Sequence, residues 1–443
     1  MRVERRVLNR VEGEIELKLR WKDGVVADAF VSALNYRGFE KFLEGKPALD
    51  TLVLTPRVCG ICGHAHLMAT TRALEDIYER EGVEVKITEK AKSIRAITHL
   101  SEIIQNHIRW FYLYLLPDLI KLEPSLRKLY EPLRGEVWID AVEASKKPIK
   151  VIALFGGQWP HTSYSLPGGV MSDPTDVEIG QALSLIESLI EFLEERTLGM
   201  GAEEFLERDL LSESGGDVAN FAGVCHKFGL DRAGRSYRRF IAGGELEGIS
   251  SSGVLNSSHE NFDIRLVSES EEFTYFSNKG GYTWSKAVRY NSLPHETGPL
   301  ARQVVSGNRR FLSLLMDYGD SVMVRVLARL EELVRVSLKV RELLQELDTH
   351  EDSWIRPPVD IERMSGKGVG VIEAARGTLI HEVELLEGRV RRYNIITPTV
   401  WNLGPRDRDN LGVAEKALIG LDSPLKAEIV LRSFDVCSVC TAH

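Results

Sequence analysis

The chain has 443 residues, 43% of them hydrophobic and 27% charged, with a formal net charge of −9. That is enough apolar material for a large core with two or three sub-domains, and the acidic balance argues against a nucleic-acid partner. No apolar run approaches the roughly 20 residues that span a bilayer, Met1 to Arg6 leads into no apolar signal core, and five cysteines are too few for a disulfide framework.

Taken in chain order, residues 14–34 alternate apolar and polar side chains on both sides of Lys22-Asp23-Gly24, which predicts a β-hairpin with an Asp-Gly turn. Thr55-Pro56 then signals a turn, followed by Arg57-Val58-Cys59-Gly60-Ile61-Cys62-Gly63-His64-Ala65-His66. Residues 67–80 read as helix, so Cys62 and His66 fall at i, i+4 on the start of one helix face. Residues 87–116 carry apolar side chains at helical spacing, with Trp110, Phe111, Tyr112 and Tyr114 among them.

Residues 150–155 read as a short apolar strand ending in Gly156-Gly157. Residues 176–206 form a second long amphipathic stretch, and Asp173-Pro174-Thr175 suits its start. Residues 300–347 form a third, in which Gly307 and Gly319 mark a break or close helix packing. From Gly366 the pattern turns β-like, over 368–371 and 389–397, with turns around Gly377 and Gly388. A last helix is expected near 414–418. The end of the chain, Asp435-Val436-Cys437-Ser438-Val439-Cys440-Thr441-Ala442-His443, then lies in an irregular region.

Four of the five cysteines thus sit in two Cys-x-x-Cys pairs at opposite ends of the chain. Four thiolates drawn from two distant segments make a soft pocket suited to a transition metal. Zinc sites of this type usually close locally, and a thioredoxin-like pair needs only one motif. Iron–sulfur ligation by four cysteines stays open. The pairs can meet only across everything between them. One integrated domain follows, with a hairpin region over about 1–50, a helical body over about 51–350 and a β/irregular metal-site region over about 351–443.

The residues around the pairs carry a specific resemblance. Arg57-x-Cys-Gly-x-Cys-x-x-x-His66 and Asp435-x-Cys-x-x-Cys-x-x-His443 resemble the two signatures of the [NiFe]-hydrogenase large subunit. Arg10-Val11-Glu12-Gly13, Arg37-Gly38-Phe39-Glu40, Thr297-Gly298-Pro299-Leu300-Ala301-Arg302, Glu373-Ala374-Ala375-Arg376-Gly377 and Pro398-Thr399-Val400-Trp401-Asn402 resemble further blocks of that family, in order. One such block would be weak; the ordered set covers the whole chain. The resemblance implies an α+β, predominantly α-helical fold, with a long-helix core and small peripheral sheets.

It also implies reversible cleavage of H2 at a nickel–iron centre. Cys59, Cys62, Cys437 and Cys440 would hold nickel, and Cys62 and Cys440 would bridge to an iron carrying CO and cyanide. Cys59 and Cys437 would be the terminal nickel ligands, and a thiolate of the second pair, Cys437 or Cys440, would take the proton of a heterolytic split. Glu12 would relay that proton outward. Arg376 would set a fixed charge over the iron ligands, Asp435 would bond Arg376 or nearby backbone, and Thr397 and Pro398 would contact the cofactor. Glu40, the carbonyl of Ile395 and His443 would hold Mg2+, or iron in its place. His66 would bond a cysteine sulfur or organise the pocket, and His64 would be solvent-side or packing. His107 and His161 are conditional candidates, and Cys225 reads as a buried or incidental thiol.

Three positions depart from the family pattern. Ala375 stands where many members have proline, Val436 where proline usually follows the aspartate, and Asn106 where some members have an acidic residue above the active site. Oxygen tolerance and catalytic bias are therefore left open.

For partners, the resemblance implies an iron–sulfur small subunit that takes the electrons, a nickel-insertion machinery, and an endopeptidase that in this family commonly removes a tail after the final histidine. A processed chain or a tail-less subtype, as in some H2-sensing relatives, would both end at His443. A low-turnover H2 sensor is the alternative function. A metal-free respiratory quinone-module relative is disfavoured by the four cysteines and His443. The expected location is the cytoplasm, free or membrane-associated through partner subunits, since an export signal would sit on the partner.

Overall fold

In the computed structural model, which describes residues 2–277 and 280–441, strands Ile15–Lys22 and Val25–Ala33 pair antiparallel across the Asp23-Gly24 turn. Both turn residues have positive φ, 51° and 83°, the conformation that matches strand twist in a two-residue hairpin. Alternation decides which face is buried: Ile15, Leu17, Leu19 and Trp21 point into the core. Strand Arg2–Val7 adds to the edge of this sheet.

Four long helices form the body. The Glu89–Arg109 helix packs between Glu136–Gly156 and Val322–Glu346, and Asp176–Phe192 closes the ring against those same two. Their starts carry the expected caps. Thr88 accepts from Ala91 N, Ser321 accepts from Val324 N, and Thr175 with Glu178 forms a capping box. The Glu89–Arg109 helix continues through a wider π-type turn at Trp110–Leu115 into Leu116–Leu122.

A second antiparallel sheet, Gly366–Ala374, Gly377–Leu386 and Arg389–Ile396, lies against the Gly63–Arg80 helix. Glycines allow it: a Cβ at Gly368 would stand 2.0 Å from the Ala73 carbonyl oxygen, and one at Gly370 1.9 Å from that of Ala69. Strand backbone therefore rests directly on the helix that begins at the first cysteine pair. The architecture is predominantly helical α+β, as expected.

Local predictions fail in three places. Residues 150–155 are not a strand but the end of the Glu136–Gly156 helix. A short apolar run has the same look in a strand and in a buried helix, and here Val151, Ile152 and Phe155 all face the core. The 176–206 stretch is interrupted: it passes through a π-type turn to Leu198, stops at Gly199 with φ 69°, and restarts as Ala202–Glu207. Val413–Leu418 is not the last helix, because Pro424–Ser433 follows it. The 300–347 stretch does break where glycine predicts, into Pro299–Val305, Arg309–Tyr318 and Val322–Glu346.

Candidate metal centre

The first cysteine pair is built by a helix start. A 3-10 turn at Thr55–Val58 delivers Cys59 in extended conformation, and Cys62 caps the 18-residue Gly63–Arg80 helix. Cys59 Sγ accepts from the main-chain N–H groups of Ile61 and Cys62, each at 3.4 Å. The helix leaves its first amides unsatisfied, and the buried carboxylate of Glu102 accepts two of them, from His64 and Ala65, at 2.9 Å each. Burial pushes the Glu102 carboxyl up to about 8, although those two amides pull it down.

The second pair is built by long-range contacts. After the Pro424–Ser433 helix, Asp435 takes φ 56°, and the backbone then runs beside the N-terminal segment, with Cys437 bridged to Glu12. Ser438 donates from N to the Glu12 carbonyl and from Oγ to the Glu14 carbonyl, both at 2.7 Å. Gly13 makes the approach sterically possible: its φ is 81°, and a Cβ there would sit 3.0 Å from Ser438 Cβ. Arg432 holds the N-terminal segment in turn, donating to the carbonyls of Arg10 and Asn9 at 2.8 and 2.9 Å. The Thr397 hydroxyl donates to the Cys440 carbonyl, and Pro398 opens the Pro398–Leu403 helix beside it. Arg37 ties the two pairs together by donating to the carbonyls of Val58 and, at 3.0 Å, Val439.

The four sulfurs converge. Cys59, Cys62 and Cys440 have Sγ atoms within 4.8 Å of one another. Cys437 Sγ completes the group, 3.7 Å from Cys59 and 3.2 Å from Cys440, while Cys62 and Cys440 are 3.4 Å apart. All four are buried thiols, and these separations far exceed a disulfide bond of about 2.05 Å. Hydrogen bonds from Cys437, Cys440 and Cys62 push the Cys59 thiol down, while the contact with Cys437 leads in pushing Cys62 and Cys440 up. Packed thiols of this kind lose their protons to solvent when a metal cation takes their place, and an all-sulfur donor set fits a soft transition metal.

Beside the sulfurs lies a buried ionic canopy. Arg376 Nε is 3.1 Å from Asp435 Oδ1 and donates to the Asp435 carbonyl at 3.1 Å. With its amide oriented to satisfy both neighbours, Asn106 donates to Asp435 Oδ2 at 2.9 Å and accepts from Arg376 Nη2 at 2.8 Å. Although burial opposes it, the charge of Asp435, then that of Cys437, holds the Arg376 guanidinium firmly protonated. Arg376 and Asp435 are thus an ion pair, with the hydrogen bond going to the Asp435 main chain.

The remaining sequence candidates separate clearly. Glu12 is half-buried and its main chain, through the Cys437 bridge, lies at the pocket. Glu40 and Ile395 line one cavity with Glu269 and Lys286. Glu40 Oε1 accepts from the Ile395 N–H at 3.0 Å, and Lys286 Nζ lies 3.3 Å from the same carboxylate. The expected partner His443 falls outside the described residues. His66 Nδ1 bonds His381 Nε2 at 2.9 Å. His64 is not solvent-side but buried, its ring 5.7 Å from that of Tyr164, and burial pulls it down to about 3. His107 enters the ionic network through Glu332, at 2.9 Å, whereas the His161 ring meets the Pro56 carbonyl through Nδ1 at 3.0 Å. Cys225 is buried apart from the four.

Sequence reasoning misses Glu102, Arg329, His381 and Lys286. Glu102 and Arg329 carry one signal, a charge on the apolar face of a predicted helix; the other two carry none.

The model of the nickel-dependent hydrogenase family matches residues 37–126 and 252–443. The periplasmic [NiFeSe] hydrogenase large subunit of Desulfomicrobium baculatum is 25% identical, over 98% of this chain and 93% of its own. The Hydrogenase-2 large chain of Escherichia coli is 22% identical, over 98% and 96%. Among solved structures, a reduced, active form of the Ni-Fe-Se hydrogenase from Desulfomicrobium baculatum superposes with a TM-score of 0.85 at 25% identity, covering all of both chains.

Proposed function

Because this chain belongs to the nickel-dependent hydrogenases, as a large catalytic subunit of oxidoreductases acting on H2, we propose that Cys59, Cys62, Cys437 and Cys440 hold a nickel–iron centre at which H2 is cleaved reversibly. The observation that carries this reading is the convergence of four buried sulfurs from opposite ends of the chain. In the proposal all four sulfurs would hold nickel, Cys62 and Cys440 would also be ligands of the iron, and the iron would carry CO and cyanide. When bound, such a group supplies the Lewis acidity and redox capacity that split H2 into two protons and two electrons.

The protein's own part is to place charge and move protons. Cys437 Sγ takes the proton, and Glu12, tied by its main chain to that segment, passes it outward. Arg376, anchored by Asp435, presents a permanent cation and donors toward the pocket without itself titrating. Thr397 fixes the Cys440 carbonyl, so the second pair keeps its spacing, and Pro398 shapes the wall beside it. Glu40, the Ile395 carbonyl and His443 are the proposed holders of Mg2+ or iron, at a cavity where Lys286 Nζ stands 3.3 Å from Glu40 and 3.4 Å from Glu269 and would share those carboxylates with the metal.

Electrons leave through an iron–sulfur small subunit, the partner that the large-subunit relatives imply. Nickel-insertion factors and a maturation endopeptidase are the proposed assembly partners. No helix among the described residues is long and apolar enough to cross a membrane; a cytoplasmic location, free or attached through partners, is proposed.

Infrared spectroscopy with metal analysis on the purified protein tests the reading. Bands from metal-bound CO and cyanide, with nickel and iron both present, are expected. Zinc alone at the four cysteines, with no such bands, would overturn it. H2-uptake assays then distinguish a turnover enzyme from the alternative, a low-turnover H2 sensor.

A further inference from the structure

The canopy continues into the protein as a chain of buried charges. Arg329, on the Val322–Glu346 helix, donates from Nη1 to Asp435 Oδ2 at 2.8 Å and to His107 Nδ1 at 3.1 Å. Its guanidinium also lies 4.5 Å from the Trp110 ring centre. His107 Nε2 meets Glu332 Oε1 at 2.9 Å, and Arg302 bonds Glu332 and Glu373 at 2.6 and 2.8 Å. Every one of these side chains is buried.

Donor chemistry fixes the protons. A guanidinium can only donate, so His107 Nδ1 is an acceptor and the imidazole proton sits on Nε2, given to Glu332. His107 is therefore neutral. Asp435 carries one negative charge and faces two guanidiniums, Arg376 and Arg329. Asn106, its third partner, adds none. Within the canopy of Arg376, Arg329, Asp435 and Asn106 the account stands at two positive charges and one negative. The compensating excess of carboxylate, Glu332 and Glu373 against Arg302, lies behind His107.

We propose that Arg329 is a positioning residue that sets the positive field at the metal pocket: by sharing the Asp435 carboxylate, it prevents that carboxylate from cancelling Arg376. Among the described residues Arg329 bonds Asp435 and His107, not a cysteine, so it acts through the canopy. The neutral amide at Asn106 belongs to the same device, since a carboxylate there would restore the one-to-one balance. This inference rests on the nickel–iron reading above.

The test uses infrared spectra of the metal-loaded protein and of Arg329→Gln, Arg329→Lys and Asn106→Asp, with nickel and iron measured on each. A weaker positive field raises electron density at the iron and lowers the stretching frequencies of its CO and cyanide. Arg329→Gln is expected to move the bands to lower wavenumber, and Arg329→Lys, which keeps the charge, to return them toward wild type. Asn106→Asp is recorded across about pH 6–10, because the new carboxylate faces that of Asp435 and the pair ionises in two steps; once both are ionised its bands are expected to move the same way as those of Arg329→Gln. Unmoved bands in loaded Arg329→Gln, or an equal shift in Arg329→Lys, would overturn the proposal. If Arg329→Gln fails to load metal, Asn106→Asp decides alone, and unmoved bands there overturn it. Absence of the bands from the wild-type protein sinks the nickel–iron reading instead.

Discussion

The two Cys-x-x-Cys pairs share a spacing and little else. The first is preorganised by its own helix: Cys62 caps 18 residues of regular structure, and one buried carboxylate, Glu102, takes up the amides just beyond it. The second has a 3-10 turn of three residues and borrows its shape from the N-terminal segment, from Thr397 and from Arg37. One half of the pocket is thus held by local hydrogen bonding, the other by tertiary contacts that exist only after the chain ends have met. The first half should tolerate perturbation at a distance, and the second should not.

The largest expected effect treats the halves as equals. Cys62→Ser and Cys440→Ser each remove one soft donor, and each should abolish stable nickel and iron loading, read by metal analysis. Full loading of either variant would break the four-sulfur reading.

The next separates the halves. Gly13→Val puts a β-branched residue at φ 81° against Ser438; the left-handed backbone alone costs about 1–2 kcal/mol, and the contact adds to it. Thermal stability should fall, with metal lost first from the second pair, so that extended X-ray absorption shows fewer sulfur neighbours per metal. An unchanged sulfur count would show that the N-terminal segment is not what holds Cys437 and Cys440.

A smaller effect probes the first half through pH. In the metal-free protein Glu102 is raised from 4.5 to about 8 by burial. The folded state then binds this proton more tightly than the unfolded one. Its stabilisation is complete below the unfolded value and is lost as pH climbs through the folded one. Glu102→Gln removes that dependence, so the variant should gain Tm relative to wild type as pH rises from about 5 to 8. A constant difference across that window would contradict the assignment.

The smallest effect lies outside both halves. Thr175→Ala removes the capping box of the Asp176–Phe192 helix and should cost about 1 kcal/mol with metal content unchanged. A loss of metal would mean that the pocket senses global stability.

Much of this architecture is legible in the residues alone, where the signal is local. The hairpin is announced by Asp23-Gly24, the breaks in 300–347 by Gly307 and Gly319, and the helix behind Cys62 by its period. Residues 150–155 mislead because the five apolar residues that follow Lys150 carry no period, and the Pro424–Ser433 helix escapes notice because its buried face is interrupted by Arg432, which pairs with Asp118 at 2.7 Å. Charges on an apolar helix face look like errors of phase until their partners are seen. Arg329, Glu332 and Glu102 are such residues, each satisfied by a group far away in the chain.

By itself the sequence determined the chemistry on offer: four soft donors in two pairs, an arginine and an aspartate near them, and the periods of the elements that carry them. These are properties of residue type and short spacing. The tertiary structure alone decided that the four sulfurs stand 3.2–3.7 Å from their nearest partners, that Glu102 caps the first pair, and that Asp435 is divided between Arg376 and Arg329. The reason is physical. A buried charge is stable only beside a partner, and which partner it meets is set by how helices and sheets pack across the whole chain.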